Sequence, residues 1–157
     1  MNRFPFKFNV FVGTLLLMLE TAALAQETPA IVTLDPPSIA RANSYSHGKL
    51  VPMSANLLFT AGQVGRNKDG ELGDGIEEQA MYAMNNLLEV IKAAGMDGEN
   101  ILKMTVYYLQ EDHIGPIFAA RNRVFGDTFR PASTAVVVKS LASPGLMVEV
   151  EAIAASL

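Results

Sequence analysis

Residues 101–109 read ILKMTVYYL, and the fold turns on how this run is taken. Leu102, Met104, Val106 and Tyr108 fall on one side of an alternation, and Lys103, Thr105 and Tyr107 fall on the other. Successive side chains of a strand point to opposite faces, so the run predicts a strand with one face buried. Upstream, Ile76, Ala80, Met84, Leu87, Leu88 and Ile91 recur at helical spacing between Gly75 and Gly95, and Gly95 stands where a C-terminal cap belongs. Downstream, Ile117, Phe118, Arg121, Val124 and Phe125 line one side of a second helix, expected over 115–129. Pro116 fits its first turn and Pro131 ends it.

Further out on the N-terminal side, Lys49 to Val64 holds two short apolar pieces around Pro52, Ser54 and Asn56, which predict a hairpin whose second strand ends near Gly62. On the C-terminal side, Thr134–Leu141 and Leu146–Ala154 predict two strands joined through Ser143, Pro144 and Gly145. The order is β-β-α-β-α-β-β, an α+β sheet with two helices over one face. Ala135-Val136-Val137-Val138 stays apolar on both sides, which two helices on a single face leave unexplained. Burial of the second face against further copies of the chain is the natural expectation.

The ends of the chain read differently. Arg3 and Lys7 give a basic start, Phe8 to Leu19 is an uncharged apolar run, and Ala23-Leu24-Ala25 offers a small-residue cleavage site. Residues 1–25 are therefore expected to be a signal peptide, making the protein periplasmic or secreted, with no membrane segment left after cleavage. The apolar run is short for a bilayer span, and a retained N-terminal anchor is the alternative. Residues 26–39, with Pro29, Pro36 and Pro37, read as an N-terminal arm, and residues 40–157 as one domain.

The whole chain has 157 residues and a net charge of −4. The leader takes Arg3, Lys7 and Glu20 with it, which leaves 10 basic and 15 acidic side chains, a net −5. That balance disfavours nucleic acid as a partner. There is no cysteine, and the two histidines, His47 and His113, are far apart, so no metal-ligand spacing can be assembled.

Few residues suggest chemistry by themselves. Glu149 and Glu151 lie two apart on the last strand and share a face. Paired carboxylates can position water or pass a proton, although a solvated strand face satisfies the same spacing. Arg121 lies on the apolar side of the second helix and can reach inward, whereas Asn122 and Arg123 also fit ordinary helix-surface polarity. Tyr45, between Ser44 and Ser46, is either a pocket wall or a packed loop aromatic. Gly62 and Gln63 either expose backbone amides to a ligand or mark a bend. No phosphate loop, dinucleotide fingerprint or Ser-His-Asp context is present.

Taken together, a set of short motifs is specific. Tyr45-Ser46, Leu58-Phe59-Thr60-Ala61-Gly62-Gln63, Gln79, Asn86, Ala93-Ala94-Gly95, Lys103-Met104-Thr105-Val106-Tyr107, Asn122, Pro131-Ala132 and Val148-Glu149-Val150-Glu151-Ala152-Ile153-Ala154 resemble, in order, the RidA/YjgF family of enamine and imine deaminases. The family also carries the older label endoribonuclease L-PSP. The resemblance implies a chorismate-mutase-like homotrimer with small-molecule clefts between subunits and no metal or organic cofactor. It implies hydrolysis of 2-aminoacrylate-like enamines, through their imines, to 2-oxo acids and ammonia. By the same resemblance Glu149 is the carboxylate that positions water, while Tyr45, Asn122 and the strand end Thr60, Ala61 and Gly62 line the cleft.

One position departs from the pattern. Deaminating members carry an arginine directly after Pro-Ala to grip the substrate carboxylate, and here that residue is Ser133. A serine offers one neutral donor in place of a bidentate charged pair. Arg130 and Arg121 are the cations near enough in sequence to take its place. The chain is also shorter than the family pattern between Phe129 and Pro131. Deamination of 2-iminobutanoate or 2-aminoacrylate is accordingly expected to be poor, and a non-catalytic small-molecule-binding trimer is the alternative.

Overall fold

The computed structural model describes residues 30–40 and 42–157. The expected leader over 1–25 and the first residues of the arm lie outside the described residues. Nine elements are arranged as β1 (Val32–Leu34), β2 (Gly48–Leu50), β3 (Asn56–Phe59), β4 (Gln63–Val64), α1 (Gly75–Ala93), β5 (Ile101–Tyr108), α2 (Ile114–Phe125), β6 (Ala132–Val137) and β7 (Val148–Ser156), with short 3₁₀ turns before β5 and α2.

The run that opened the sequence reading forms β5 and buries the predicted side. Leu102, Met104, Val106 and Tyr108 are buried, while Lys103, Thr105 and Tyr107 are half-buried on the opposite face. β5 lies inside a five-stranded sheet, where β7 pairs antiparallel to it on one side and β6 pairs parallel to it on the other. β3 and β4 both pair with β7, along Ile153–Ser156 and Glu149–Val150, so they are two pieces of one interrupted strand. The break between them is Thr60–Gly62. This is the expected α+β, chorismate-mutase-like fold.

Both helices pack on one face of the sheet. Ala80, Ala83, Met84, Leu87 and Ile91 of α1, with Ile117 and Ala120 of α2, meet Met104, Val106, Val148, Val150 and Ala152. Each fully buried Met, Leu or Ile side chain stabilises the fold by roughly 1.5–3 kcal/mol. α1 ends at Ala93 as expected, with Gly95 at φ 73° and its N–H bonded to the carbonyl of Lys92. The other face is left uncovered by the described residues: Leu57 and Phe59 are 52% and 68% exposed, and Val136 of β6 is also exposed.

Four expectations are corrected. The segment 49–64 is not a hairpin, because β2 pairs antiparallel with β1 in a separate two-stranded sheet while β3 pairs with β7. The turn from Pro52 to Ala55, closed by the N–H of Ala55 on the Pro52 carbonyl, redirects the chain between the two sheets. The arm is correspondingly more regular than its prolines suggest, since Val32–Leu34 is a strand. α2 stops at Phe125 and does not run to Phe129, because Gly126 takes φ 89° and donates its N–H to Asn122. Phe129 mimicked a helical period by stacking on Phe125 at 4.7 Å across a turn. The last two strands also move: the first starts two residues and ends four residues earlier than expected, at Ala132–Val137, and the second starts and ends two residues later, at Val148–Ser156.

Candidate functional site

Register places Glu149 beside Tyr107 and Val136 on the uncovered face, with Val64 on its other side. Glu151, Thr105 and Thr134 form the next row of that face. Glu149 packs so closely on the strand break that a Cβ at Gly62 would overlap its carboxylate. Glycine at this position is therefore what lets the carboxylate lie along the backbone. Thr60 holds the break in register: its N–H bonds the Ala152 carbonyl at 3.0 Å, and its hydroxyl accepts from the Ala152 N–H at 2.9 Å. Ala61 offers its carbonyl to the Gln63 amide at 3.2 Å. Thr60, Ala61, Gly62 and Glu149 are thus brought together at the strand break.

Two side chains of α1 brace this half of the site from below. Buried Gln79 donates to the carbonyl of Gly145 at 2.9 Å and accepts from the N–H of Met147 at 2.9 Å, which fixes the chain entering β7. Asn86 donates to the carbonyls of Val64 and Arg66, at 3.3 and 2.8 Å, and so fixes β4. Gly65 lies against Gln79 with no room for a Cβ. A groove of about 350 Å³ opens here, lined by Tyr107, Val138, Ser140, Leu141, Ala142, Glu149 and Glu151.

Tyr107 closes one of the family motifs but was given no site role there. Its hydroxyl donates to Glu151 at 3.1 Å, and that bond, with the charges of Glu151 and Glu149 nearby, holds the phenol above its ordinary ionisation range. The alternation that put Tyr107 opposite Tyr108, combined with the parity of Glu149 and Glu151, is the signal that could have found it. Lys103, on the same face, donates to Thr134 and to the Met104 carbonyl, and burial pushes its pKa down against the pull of Glu151.

The remaining predicted residues lie elsewhere. Ser133 shares its row with Met104 and Ala152, the row on which the helices pack, so it faces away from Glu149. Ser46 is bridged to Ala132, with its N–H on the Pro131 carbonyl and its hydroxyl on the Arg130 carbonyl, both at 3.1 Å. This sets Tyr45 next to the start of β6, its ring 5.5 Å from that of His47 in an edge-on contact. Asn122 joins this group through Arg121, which donates from Nε and Nη2 to the Asn122 Oδ1 at 3.1 and 2.8 Å and from Nη1 to the Ser44 carbonyl at 3.0 Å. The candidate residues therefore fall into two groups, Thr60–Gly62 with Glu149 on the open face of the sheet, and Tyr45 with Asn122 and Ser133 on the side of the helices.

Neither arginine stands in for the missing anchor within the chain. Arg121 is 4% exposed, sits against the rings of Phe118 and Phe129, and has its pKa lowered by burial. Arg130 lines two cavities, one with Asp35, Pro36 and Pro37 and the other with Lys49 and Glu99. Among the described residues no cluster of three His, Cys, Asp or Glu side chains is placed to hold a metal ion.

The profile of the family described as Endoribonuclease L-PSP matches residues 36–156. A 2-iminobutanoate/2-iminopropanoate deaminase of Rattus norvegicus is 33% identical over 120 residues, covering 73% of this chain and 82% of that protein. The regulator-like protein AldR of Lactococcus lactis is 33% identical over 126 residues, covering 79% and 94%. Among solved structures, a Rid-family protein of unknown function, YyfB from Yersinia pestis, superposes with a TM-score of 0.70 at 27% identity, over 79% of this chain and 97% of that one. E. coli TdcF, solved with bound serine, gives a TM-score of 0.61 at 26% identity, over 78% and 94%. The chain belongs to the RidA/YjgF family, the family of endoribonuclease L-PSP.

Proposed function

We propose that this protein hydrolyses a small imine or enamine in clefts formed between copies of itself, with Glu149 positioning and deprotonating the attacking water. The observation that carries the reading is the seating of the Glu149 carboxylate against Gly62, at a strand break held by Thr60. A base acts only when held at the right distance from its proton, and this carboxylate is fixed by backbone on one side and by β7 on the other. Assembly between copies, as a homotrimer, is supported by the two groups of candidate residues, each then a half-site, on opposite sides of the sheet and by the exposed Leu57 and Phe59. The relative named as a deaminase supports the reaction class.

Ser133 sets the limit on substrate. Loss of an arginine–carboxylate pair in a desolvated cleft weakens binding by roughly 2–5 kcal/mol, about 30-fold to several thousandfold. The wild-type chain is expected to hydrolyse 2-iminobutanoate and 2-aminoacrylate slowly, Ser133→Arg to hydrolyse them faster, and Glu149→Gln in that background to lose the gain. The assay couples the protein to an enzyme that generates the enamine and follows 2-oxo acid release over the uncatalysed rate. Fast wild-type turnover indifferent to Glu149→Gln would remove both assignments. We further propose export, on the basic, apolar and small-residue order of residues 1–25; a mature protein whose N-terminal sequence starts at Met1 would refute it.

A further inference from the structure

The charges around the Glu149 groove point to a substrate unlike the 2-imino acids. Two carboxylates, Glu149 and Glu151, line the groove, and no basic side chain among the described residues does. Tyr107 contributes a hydroxyl already donated to Glu151, and its raised pKa keeps it a neutral donor. Each cation that could offset the carboxylates is committed or placed elsewhere. Lys103 lies in the adjoining hollow with Phe59, Thr60 and Glu151; it feels the charge of Glu151, but its ammonium is bonded to Thr134 and Met104 and it does not line the groove, so Glu149 keeps no basic neighbour there. Lys139 stands between groove residues Val138 and Ser140 but does not itself line the groove. The opposite half-site brings Tyr45, Asn122 and Ser133, none of them a basic side chain. Its arginine, Arg121, has its donors on Asn122 and Ser44, and Arg130 faces cavities lined by other residues.

We propose that the substrate carries no carboxylate on its imine carbon and enters as a cation, the iminium R–CH=NH2⁺ of a primary amine. The inference rests on the hydrolytic reading of Glu149 above. A carboxylate on the substrate would face two like charges without a partner, whereas an iminium nitrogen is attracted by both. The step balances with water alone. Water oxygen bonds to the imine carbon as Glu149 takes its proton and the C=N electron pair moves to nitrogen. Glu149 then returns the proton to nitrogen, the C–N bond breaks as the oxygen lone pair forms the carbonyl, the hydroxyl proton passes to the departing ammonia, and the products are the aldehyde and ammonium.

A matched pair of imines tests this. Butan-1-imine, released from butylamine by a flavin amine oxidase, and 2-iminopentanoate, released from norvaline by an amino-acid oxidase, differ only by the carboxylate. The full protein is expected to accelerate hydrolysis of the first at least about tenfold more than the second. Glu149→Gln should remove the acceleration, Glu151→Gln should narrow the preference, and Ser133→Arg should shift it toward 2-iminopentanoate. Calorimetry with butylammonium and butanoate adds a readout independent of turnover, and the ammonium ion should bind more tightly. Glu149-dependent preference for 2-iminopentanoate would overturn the inference and leave the hydrolytic reading intact. If neither imine is hydrolysed faster but butylammonium still binds preferentially, the hydrolytic reading falls and the charge preference stands. If butanoate binds as tightly as butylammonium, or neither binds, with no hydrolysis, both fall.

Discussion

The two faces of the five-stranded sheet are built from alternate residues of the same strands, yet one is finished within the chain and the other is not. On the helix side, Met104, Val106, Val148, Val150 and Ala152 are buried under α1 and α2. On the far side, the next residues along the same strands, Thr105, Tyr107, Glu149 and Glu151, are half-buried beside exposed Phe59 and Val136. The helix-packed face fixes the fold by apolar burial, which needs no partner. The open face carries the groups to which hydrolysis is proposed, and on that proposal it gains the necessary desolvation when a second copy lies over it. The core and the proposed base thereby fall on opposite parities of one strand, and Ser133 and Glu149 point apart although both lie in the same sheet.

Substitutions can break that division in order of expected effect. Glu149→Gln should lower imine hydrolysis by roughly 10²–10⁴-fold, the usual range for losing a general base, while leaving the thermal midpoint within a few degrees. Gly62→Ala should come next, because its methyl overlaps the carboxylate, and should cost turnover at least about tenfold. Arg121→Met acts on the other half-site and on stability together: it leaves Asn122 Oδ1 and the Ser44 carbonyl without their donor and should cost about 1–3 kcal/mol in a urea titration. Phe59→Asp should leave the helix-packed face intact and shift the light-scattering mass toward the monomer, because a charge then sits where apolar contact is expected.

The smallest effect belongs to Tyr107. Its folded pKa is raised first by the bond to Glu151, so the folded state holds the phenolic proton more firmly than the unfolded state does. The corresponding stability is fully present below the unfolded value near about 10 and is lost as pH rises through the higher folded value. Tyr107→Phe should remove that alkaline loss by lowering stability near neutrality by the same small amount, so that the two proteins converge at high pH, as unfolding midpoints measured from neutrality across the alkaline range would show. An alkaline limb of unchanged slope in the variant would locate its origin elsewhere.

The helix-packed face was legible in the sequence because burial writes a period into it. The alternation of Leu102 to Tyr108 and the helical spacing of Ala80 to Ile91 both returned as drawn. Phe129 misled for the same reason, since a ring four residues after Phe125 reads as a helical period whether the chain is helical or turned. The segment 49–64 misled because short apolar pieces carry no record of which strand they pair with, and β2 and β3 went to different sheets. Of the site, Glu149 and the glycine beneath it were visible through the family resemblance. The inward reach of Arg121 was legible from its place on the apolar side of the second helix, but its partners were not, because they are Asn122 Oδ1 and the backbone of Ser44, and a carbonyl acceptor 77 residues away leaves no mark on sequence. Whether Ser133 and Glu149 face one another depends on strand parity across three strands, which emerges only from the register.

The central claim is that Glu149 of one copy works with Tyr45, Asn122 and Ser133 of another, and a subunit-mixing experiment tests it most directly. Glu149→Gln and Asn122→Ala proteins, each deficient alone, are unfolded, mixed in equal amounts, refolded together and assayed on butan-1-imine. If the site is shared between copies, random assembly gives intact pairings at about one cleft in four, and the mixture should regain about a quarter of wild-type activity. A mixture that stays at the mean of its two parents, while refolded wild type recovers fully, would contradict a site shared between copies.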